Sequence, residues 1–259
     1  MAKDITTKQE SNLPAAPMGA WGAENITAED ILIPRLLLMQ PMSDFVTAGD
    51  CKFGDVIDSL EKTKVLANDK KALELVVFGQ FKTWRVEHDG EFFRTYPHGP
   101  DNAHWEYEKL EQIGNNEVMV TNIITYNYYA LSVEDIKLGK AFPYVISFKS
   151  SSKNAGKALG AHLMRLQAQN KPSAAQVFNL TSKKETNDKG TFAVFEVTPG
   201  RDTTELEVAT TYKWYQQLAK AVDKVKIDQD EEELAQTAKE AKSTAKGAKT
   251  QRQVNDLTV

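Results

Sequence analysis

The residues whose types and spacing point most clearly to a chemical role form a positively charged stretch past the middle of the chain. Residues 149–171, KSSSKNAGKALGAHLMRLQAQNK, contain five Lys or Arg residues, one His and no Asp or Glu. Lys153 and Lys157 are four residues apart, with Lys149 before them and Arg165 two helical turns after, so a helix would carry these cations near one side. Cationic side chains and the N–H groups at a helix N-terminus both bind phosphate oxygens. The spacing therefore predicts a phosphate-binding surface.

Charge is segregated along the chain, although the 259 residues carry a net charge of only -4. Residues 136–184, called the basic segment below, hold 9 Lys and Arg and 0 Asp and Glu, whereas residues 1–135 hold 12 and 22. At the overall acidic frequency, a stretch of this length would contain about seven carboxylates. A surface of one charge sign attracts polyanions, because most surfaces mix both signs. The alternative is that the basic segment pairs with the acidic N-terminal half.

Aromatic residues in neighbouring strand-like runs narrow the predicted ligand. Tyr126 and Tyr128 in ITYNYYA would share one face of a strand, and Trp84 ends an earlier run. Single-stranded nucleic acid is bound by cations that contact phosphates and by flat rings that stack on unpaired bases. We therefore predict that Trp84, Tyr126 and Tyr128 stack on bases. The competing interpretation is that these rings belong to the core.

Three further lysines fall in a predicted β-hairpin. The stretch VFNLTSKKETNDKGTFAVFEVTPG has two β-rich arms around NDKG, in which Gly190 allows the positive φ of a tight turn. Lys183, Lys184 and Lys189 would then lie on a loop that could fold over a bound strand. Exposed hairpin lysines also serve solubility, so both interpretations stay open.

Motifs for catalysis, cofactors and metals are missing from the sequence. KNAGKALG lacks the residue order of a Walker loop, the four histidines form no H-E-x-x-H, and the single Cys51 excludes a Cys-based zinc site. His98, Asp101 and His104 could hold a metal, but an exposed polar turn is the simpler interpretation. A nuclease would need carboxylates beside its phosphate site, and the basic segment has none. We expect a non-enzymatic protein with no cofactor and no metal.

The elements that must position these residues indicate an α+β fold. Runs such as ALELVVFGQFKTW, EVMVTNIITYNYYALSV and AFPYVISFKS predict a twisted, mostly antiparallel sheet, because they are rich in β-branched and aromatic residues. Apolar residues at helical spacing predict two main helices, over about 153–169 and 203–225. The second helix has a predicted apolar face that includes Leu206, Tyr212, Trp214, Tyr215 and Leu218.

The predicted organisation is one nucleic-acid-binding core, residues 27–226, between two flexible ends. Residues 1–26 are rich in Ala, Pro, Gly and polar residues and predict a flexible arm, and residues 227–259 predict a charged, largely disordered tail. The start of the chain has no signal-peptide pattern and no apolar run is long enough for a membrane span, so a cytoplasmic protein without a membrane partner is expected. A homo-oligomer is one of the states that the sequence leaves open.

Three stretches resemble a known family: IPRLLLMQPMSDFVTAGDCKFGDVID, SFKSSSKNAGKAL and FNLTSKKETNDKGTFAVFEVTPGR. They are similar to the Drc-type bacteriophage proteins, single-stranded-DNA-binding RNA polymerase cofactors of lytic podoviruses, over about residues 31–225. The resemblance implies a fold other than the common OB barrel. It also implies binding to melted phage promoters or replicating strands in the host cytoplasm, with phage RNA polymerase as a partner. It assigns no role to an individual residue.

The sequence as a whole predicts a largely sequence-independent single-stranded-DNA-binding protein. The leading alternative is a protein–protein adaptor whose basic segment meets an acidic partner and does not touch DNA. Strand length, polarity, base preference and the choice between DNA and RNA stay open at this stage.

Overall fold

The computed structural model describes residues 32–62, 64–89, 91–113, 116–188, 190–219 and 226–227. The predicted flexible arm and, except for its first residue, the predicted charged tail lie outside the described residues. The described part is α+β, as predicted, and consists mainly of an antiparallel-rich sheet and two long helices. No helix in this part is both long enough and apolar enough to cross a membrane.

The described residues form twelve strands and four helices. The strands are β1 Leu32–Ile33, β2 Arg35–Leu38, β3 Val56–Asp58, β4 Val65–Ala67, β5 Leu73–His88, β6 Glu91–Pro97, β7 Glu108–Ile113, β8 Asn116–Ser132, β9 Pro143–Phe148, β10 Gln176–Asn187, β11 Gly190–Asp202 and β12 Lys226–Ile227. The helices are α1 Asp44–Thr47, α2 Val133–Lys137, α3 Lys153–Ala168 and α4 Glu205–Ala219.

One large sheet contains ten of these strands. Its main path runs β11-β10-β5-β8-β9-β2-β3-β4. In addition, β6 pairs with the C-terminal part of β5, and β7 pairs with the N-terminal part of β8. All of its pairings are antiparallel except that of β2 with β9, while β1 and β12 form a separate parallel pair. The sheet is therefore mostly antiparallel, as the strand-like runs predict.

The centre of the sheet is the long pair of β5 and β8. Both strands are rich in β-branched and aromatic residues, which pack well on a pleated surface. Their register shifts between Val77 and Gly79, the mark of a bulge that bends a strand. A Cβ at Gly79 would lie 3.1 Å from the Tyr129 ring, so glycine allows the two strands to approach closely at this bend.

The sheet curls until its two ends meet. The side-chain amide of Gln40, just after β2, exchanges two hydrogen bonds of 3.0 Å with the backbone of Ala193 in β11. The Ser182 hydroxyl of β10 likewise donates to the backbone carbonyl of Gly54, which lies just before β3. The curled sheet thus has an inner face, whose buried cluster includes Leu75, Tyr128, Phe148 and Phe195, and an outer face.

Helix α3 closes the inner face. Leu159 and Leu166, about two helical turns apart, are buried against the inner cluster. The helix approaches β9 so closely at Gly156 that a Cβ there would lie 2.6 Å from the Cβ of Phe148. The observed helix begins and ends within a residue of the predicted 153–169. Its opposite side faces solvent.

Helix α4 packs on the outer face and is only partly buried. Leu218 and the partly buried Trp214 contact the outer cluster, but Leu206, Tyr212 and Tyr215 are 60%, 58% and 50% exposed. The prediction of one apolar face was therefore wrong for these three residues, because the buried side of the helix follows Glu207, Thr211 and Leu218 instead. The predicted helix runs to residue 225, and its part beyond Ala219 lies outside the described residues.

Candidate nucleic-acid interface

The exposed side of α3 carries the cations that the sequence places on one surface. Lys157 and Arg165 are exposed and Lys153 is half-buried, at the start of the helix. None of the three forms an ion pair with another described residue. Because the buried residues lie on the opposite side, this charge faces solvent with no carboxylate on the helix to offset it. The alternative of pairing with the acidic N-terminal half receives no support from these three residues.

Lys149 lies between the end of β9 and the start of α3. It precedes a short 3₁₀ segment, Ser150–Ser152, which leads into the helix. It lines a cavity of about 210 Å³, called the cleft below, together with Arg35, Ser147 and the three serines. A second, narrower cavity, called the crevice, is also lined by Arg35, Ser147 and Lys149. Lys149 thus contributes to a different part of the surface from the exposed side of α3.

A row of hydrogen-bonded polar side chains crosses the outer face beside the crevice. An Arg35 guanidinium N–H donates to the Ser147 hydroxyl at 2.7 Å, and this hydroxyl donates to the Asn127 amide oxygen at 2.7 Å. The Asn127 amide N–H then donates to the Thr83 hydroxyl at 3.1 Å. The row links β2, β9, β8 and β5, so it fixes the position of the Arg35 guanidinium through neighbouring strands.

Arg85 supplies a third cation at the crevice. Its side chain is 7% exposed, and its Nε donates to a Glu87 carboxylate oxygen at 2.6 Å. Its guanidinium also lies 4.8 Å from the centre of the Phe92 ring. The Glu87 carboxylate offsets part of the Arg85 charge.

Tyr128 and Trp84 cannot stack on bases as predicted, because both rings are buried. Tyr128 is 0% exposed, and its hydroxyl donates to the Gly156 carbonyl at 2.7 Å and accepts from Gln80 at 3.0 Å. Burial raises the pKa of this hydroxyl to about 12. Trp84 is 5% exposed, donates to the Asn102 carbonyl at 3.0 Å and stacks on His98. Because neither ring is accessible, the core interpretation is the one that the burial of these two residues supports.

Tyr126 is the predicted stacking residue whose ring stays partly accessible. It is half-buried on the inner face, and the Lys82 ammonium lies 5.6 Å from its ring centre. It stands two residues from Tyr128, whose hydroxyl contacts Gly156, so it lies beside the first turns of α3. Alternation along β8 places Tyr126 and the crevice on opposite faces of the sheet. The structure therefore brings Tyr126 towards α3 and not towards the crevice.

The hairpin forms as predicted, but two of its lysines lie in a strand. Strands β10 and β11 pair as far as Asn187 with Gly190, where φ is +126°. Lys183 forms an exposed ion pair of 3.4 Å with Glu185, and Lys184 packs its ammonium 4.9 Å from the Phe53 ring centre. The prediction of a mobile loop carrying Lys183 and Lys184 is therefore corrected. Lys189 lies outside the described residues.

Sequence reasoning missed the arginines of the crevice. Arg35 stands in the apolar run IPRLLLM and Arg85 follows Trp84 in β5, far from the basic segment in sequence. An arginine inside a strand-like apolar run is the one local signal that could have marked Arg35, because such a side chain needs a polar partner. Two exposed tyrosines of α4, Tyr212 and Tyr215, were also missed as surface rings.

The described residues contain no group of three or more His, Cys, Asp or Glu side chains arranged to hold a metal. His98, one of the residues considered for a metal, stacks on Trp84 with 5.4 Å between ring centres.

Fold and surface together define a curled, antiparallel-rich α+β protein with a cationic helix and a cationic crevice. The family described as Pam3 phage gp34-like protein matches residues 8–229 of the chain. Because this match covers most of the sequence, the chain belongs to the Pam3 phage gp34-like family, and it is a bacteriophage protein. No curated protein and no solved structure matches the chain.

Proposed function

We propose that this phage protein binds single-stranded DNA, mainly through the phosphate backbone and without strong sequence preference. It acts by binding and not by catalysis. The observation that carries the proposal is the solvent-facing charge of α3, where Lys153, Lys157 and Arg165 have no ion-pair partner among the described residues. A cationic surface of this kind attracts a polyanion and speeds its arrival.

Contact with bases is the part of the proposal that selects single strands. Tyr126 lies beside the first turns of α3 and its ring is partly accessible. A base can therefore stack on this ring while the phosphates of the same strand reach Lys153 and Lys157. A duplex keeps its bases stacked and paired, and therefore offers phosphates alone. Stacking on Tyr126 therefore stabilises the complex with a single strand, and a duplex cannot make this contact.

The biological setting of the proposal is phage transcription, with DNA replication as a second process. The family match supports a phage origin. The resemblance to podovirus RNA polymerase cofactors favours melted promoters as the bound DNA, the host cytoplasm as the location and phage RNA polymerase as a partner. These assignments extend the proposal and depend on DNA binding.

The test is a comparison of single-stranded and double-stranded ligands. A labelled oligomer of about 25 nucleotides is titrated with the full chain at low salt, beside the same sequence as a duplex, and fluorescence anisotropy is measured. We expect the single strand to bind at least about tenfold more tightly, since stacking contributes roughly 1–3 kcal/mol per base. Equal affinities, or no binding to either ligand, would contradict the proposal and favour an adaptor whose basic segment meets an acidic protein.

A further inference from the structure

Two cavities adjoin where β2, β9 and the start of α3 meet. The cleft of about 210 Å³ and the crevice share Arg35, Ser147 and Lys149 in their linings. They differ in chemistry, because the cleft is largely apolar and the crevice is polar. Such a pair of adjoining cavities suits a ligand with one flat apolar part and one charged part.

The cleft can hold a nucleobase. Its lining includes Leu36, Leu38 and Phe195, which offer apolar contact to a flat ring. The lining also includes Ser150 and Ser151, whose hydroxyls form no hydrogen bond with another described residue and can form hydrogen bonds with base edges. Its volume is below the roughly 300–1,000 Å³ of sites for drug-sized ligands, so it suits one base and not a dinucleotide.

The crevice can hold a phosphate oxygen. It is lined by the side chains of Arg35, Arg85 and Lys149 and by hydroxyls of Thr83, Thr95, Thr125 and Ser147, with no carboxylate among its described lining residues. Its volume of about 10 Å³ is room for one water-sized group, such as an oxygen atom of a phosphate. Arginine and lysine side chains together with hydroxyls are typical ligands of phosphate oxygens.

We propose that the cleft and the crevice together form a nucleotide subsite, in which one unpaired base enters the cleft and its phosphate contacts Arg35 and Lys149. This inference rests on the proposed function, and it adds a site beside β2 and the end of β9 that is separate from Tyr126 and the exposed side of α3. A base must leave its stack to enter the cleft, so the subsite accepts single strands and rejects paired bases.

Variants at both ends of the subsite separate its two parts. Ser151→Phe places a ring at the exposed side of the cleft, and Lys149→Gln removes one charge from the crevice. Asn154→Phe is the matched control for the first, because Asn154 is exposed in the first turn of α3 and does not line the cleft. Lys140→Gln is the control for the second, since Lys140 is an exposed lysine of the basic segment.

The experiment uses NMR to measure saturation transfer from the full chain to thymidine 5′-monophosphate. Thymidine and inorganic phosphate are tested as separate probes. We expect transfer to the thymine methyl group in the natural sequence and in both controls, and its loss in Ser151→Phe. Lys149→Gln should weaken binding of the monophosphate by roughly tenfold and leave thymidine unchanged, because it removes one charge-assisted hydrogen bond to the phosphate. Thermal unfolding monitored by circular dichroism verifies that each variant folds.

The outcomes distinguish the subsite from the proposed function. Equal transfer in Ser151→Phe and Asn154→Phe would overturn the subsite, even if the oligomer titration shows selective binding to single strands. Binding of inorganic phosphate alone, without thymine contact, would overturn the base cleft. Loss of transfer in Ser151→Phe together with equal affinity for single strands and duplexes would support the subsite and contradict the proposed function.

Discussion

At the scale of single residues, Glu207 shows how a buried carboxylate is held at a helix start. Its two oxygens accept hydrogen bonds of 2.8 and 2.6 Å from the Arg201 guanidinium, and one also accepts from the Thr204 N–H at 2.7 Å. The Glu207 N–H in turn donates to the Thr204 hydroxyl, so the two residues form a capping box. The hydrogen bond and charge of Arg201 lower the pKa of Glu207 to about 2.

The lowered pKa of Glu207 predicts a pH-dependent contribution to stability. The folded pKa lies below the ordinary value of 4.5, so the contribution is complete above about pH 5 and is lost as the pH falls towards 2. Glu207→Gln should lower the free energy of unfolding by about 1–3 kcal/mol near neutral pH, a range that allows for the partial exposure of Arg201. Its deficit relative to the natural sequence should shrink at about pH 3.

Urea unfolding at both pH values, followed by circular dichroism, measures this effect. Glu205→Gln is the matched control, because Glu205 is exposed in the first turn of the same helix. Equal destabilisation by the two substitutions, or a deficit for Glu207→Gln that is independent of pH, would contradict the prediction.

At the scale of elements, the close approach of α3 to β9 decides where the cations of the helix lie. Leu159 and Leu166 bury one side of the helix, and Gly156 allows its backbone to approach Phe148. The phenol of Tyr128 then reaches the Gly156 carbonyl. Since these contacts fix the rotation of the helix, they also direct Lys153 and Lys157 to the opposite, solvent-facing side.

Gly156→Ala should destabilise the protein although alanine favours helices. Its Cβ would lie 2.6 Å from the Cβ of Phe148, so helix and strand would have to move apart. Overpacking of this kind costs about 1–3 kcal/mol, which exceeds the gain of roughly 1 kcal/mol from helix propensity. Thermal unfolding should show a lower midpoint than in the natural sequence. Gly99→Ala, where a Cβ meets nothing within 4 Å, is the control, and a raised midpoint for Gly156→Ala would contradict the close approach.

At the scale of the whole molecule, charge is distributed unevenly over a chain with a net charge of -4. The basic segment supplies the cations of α3 and Lys149, and the curled sheet adds Arg35 and Arg85 from distant positions. A protein of this kind is attracted to a polyanion by one part of its surface in spite of its overall negative charge.

Binding to single-stranded DNA should depend on salt through this basic surface. Combined replacement of Lys149, Lys153 and Lys157 by Ala should weaken binding to all sequences alike, because phosphate contacts carry no base information. The slope of log affinity against log salt should flatten by about 2, at roughly 0.7 for each phosphate that the variant no longer neutralises. Fluorescence anisotropy titrations at several salt concentrations measure the slope.

A matched triple variant makes this prediction specific to position. Lys64, Lys70 and Lys71 are exposed lysines outside the basic segment, and their replacement by Ala removes the same charge. We expect this variant to keep the slope of the natural sequence. Equal slopes for the two triple variants would mean that overall charge, and not the position of Lys149, Lys153 and Lys157, governs binding.

The sequence alone determined the elements that depend on local patterns. Runs rich in β-branched and aromatic residues predicted the long strands, the helical spacing of apolar residues predicted α3, and Gly190 predicted the turn of the hairpin. These features follow from the preferences of neighbouring residues. The lack of carboxylates in the basic segment is likewise a property of the amino-acid sequence itself. Strands β2, β3 and β4 were not predicted, since their three or four residues are too short for a clear pattern.

Only the tertiary structure decided which side chains are available and which meet. Tyr126 and Tyr128 share a strand face and a residue type, yet α3 covers Tyr128 completely and leaves part of Tyr126 accessible. Arg35 and Ser147 are 112 residues apart in sequence, yet the Arg35 Nη1 and Ser147 Oγ atoms lie 2.7 Å apart, because β2 and β9 pair side by side. Such pairings come from long-range packing of the sheet, which no local pattern encodes, and they assemble the crevice from residues that the sequence places far apart.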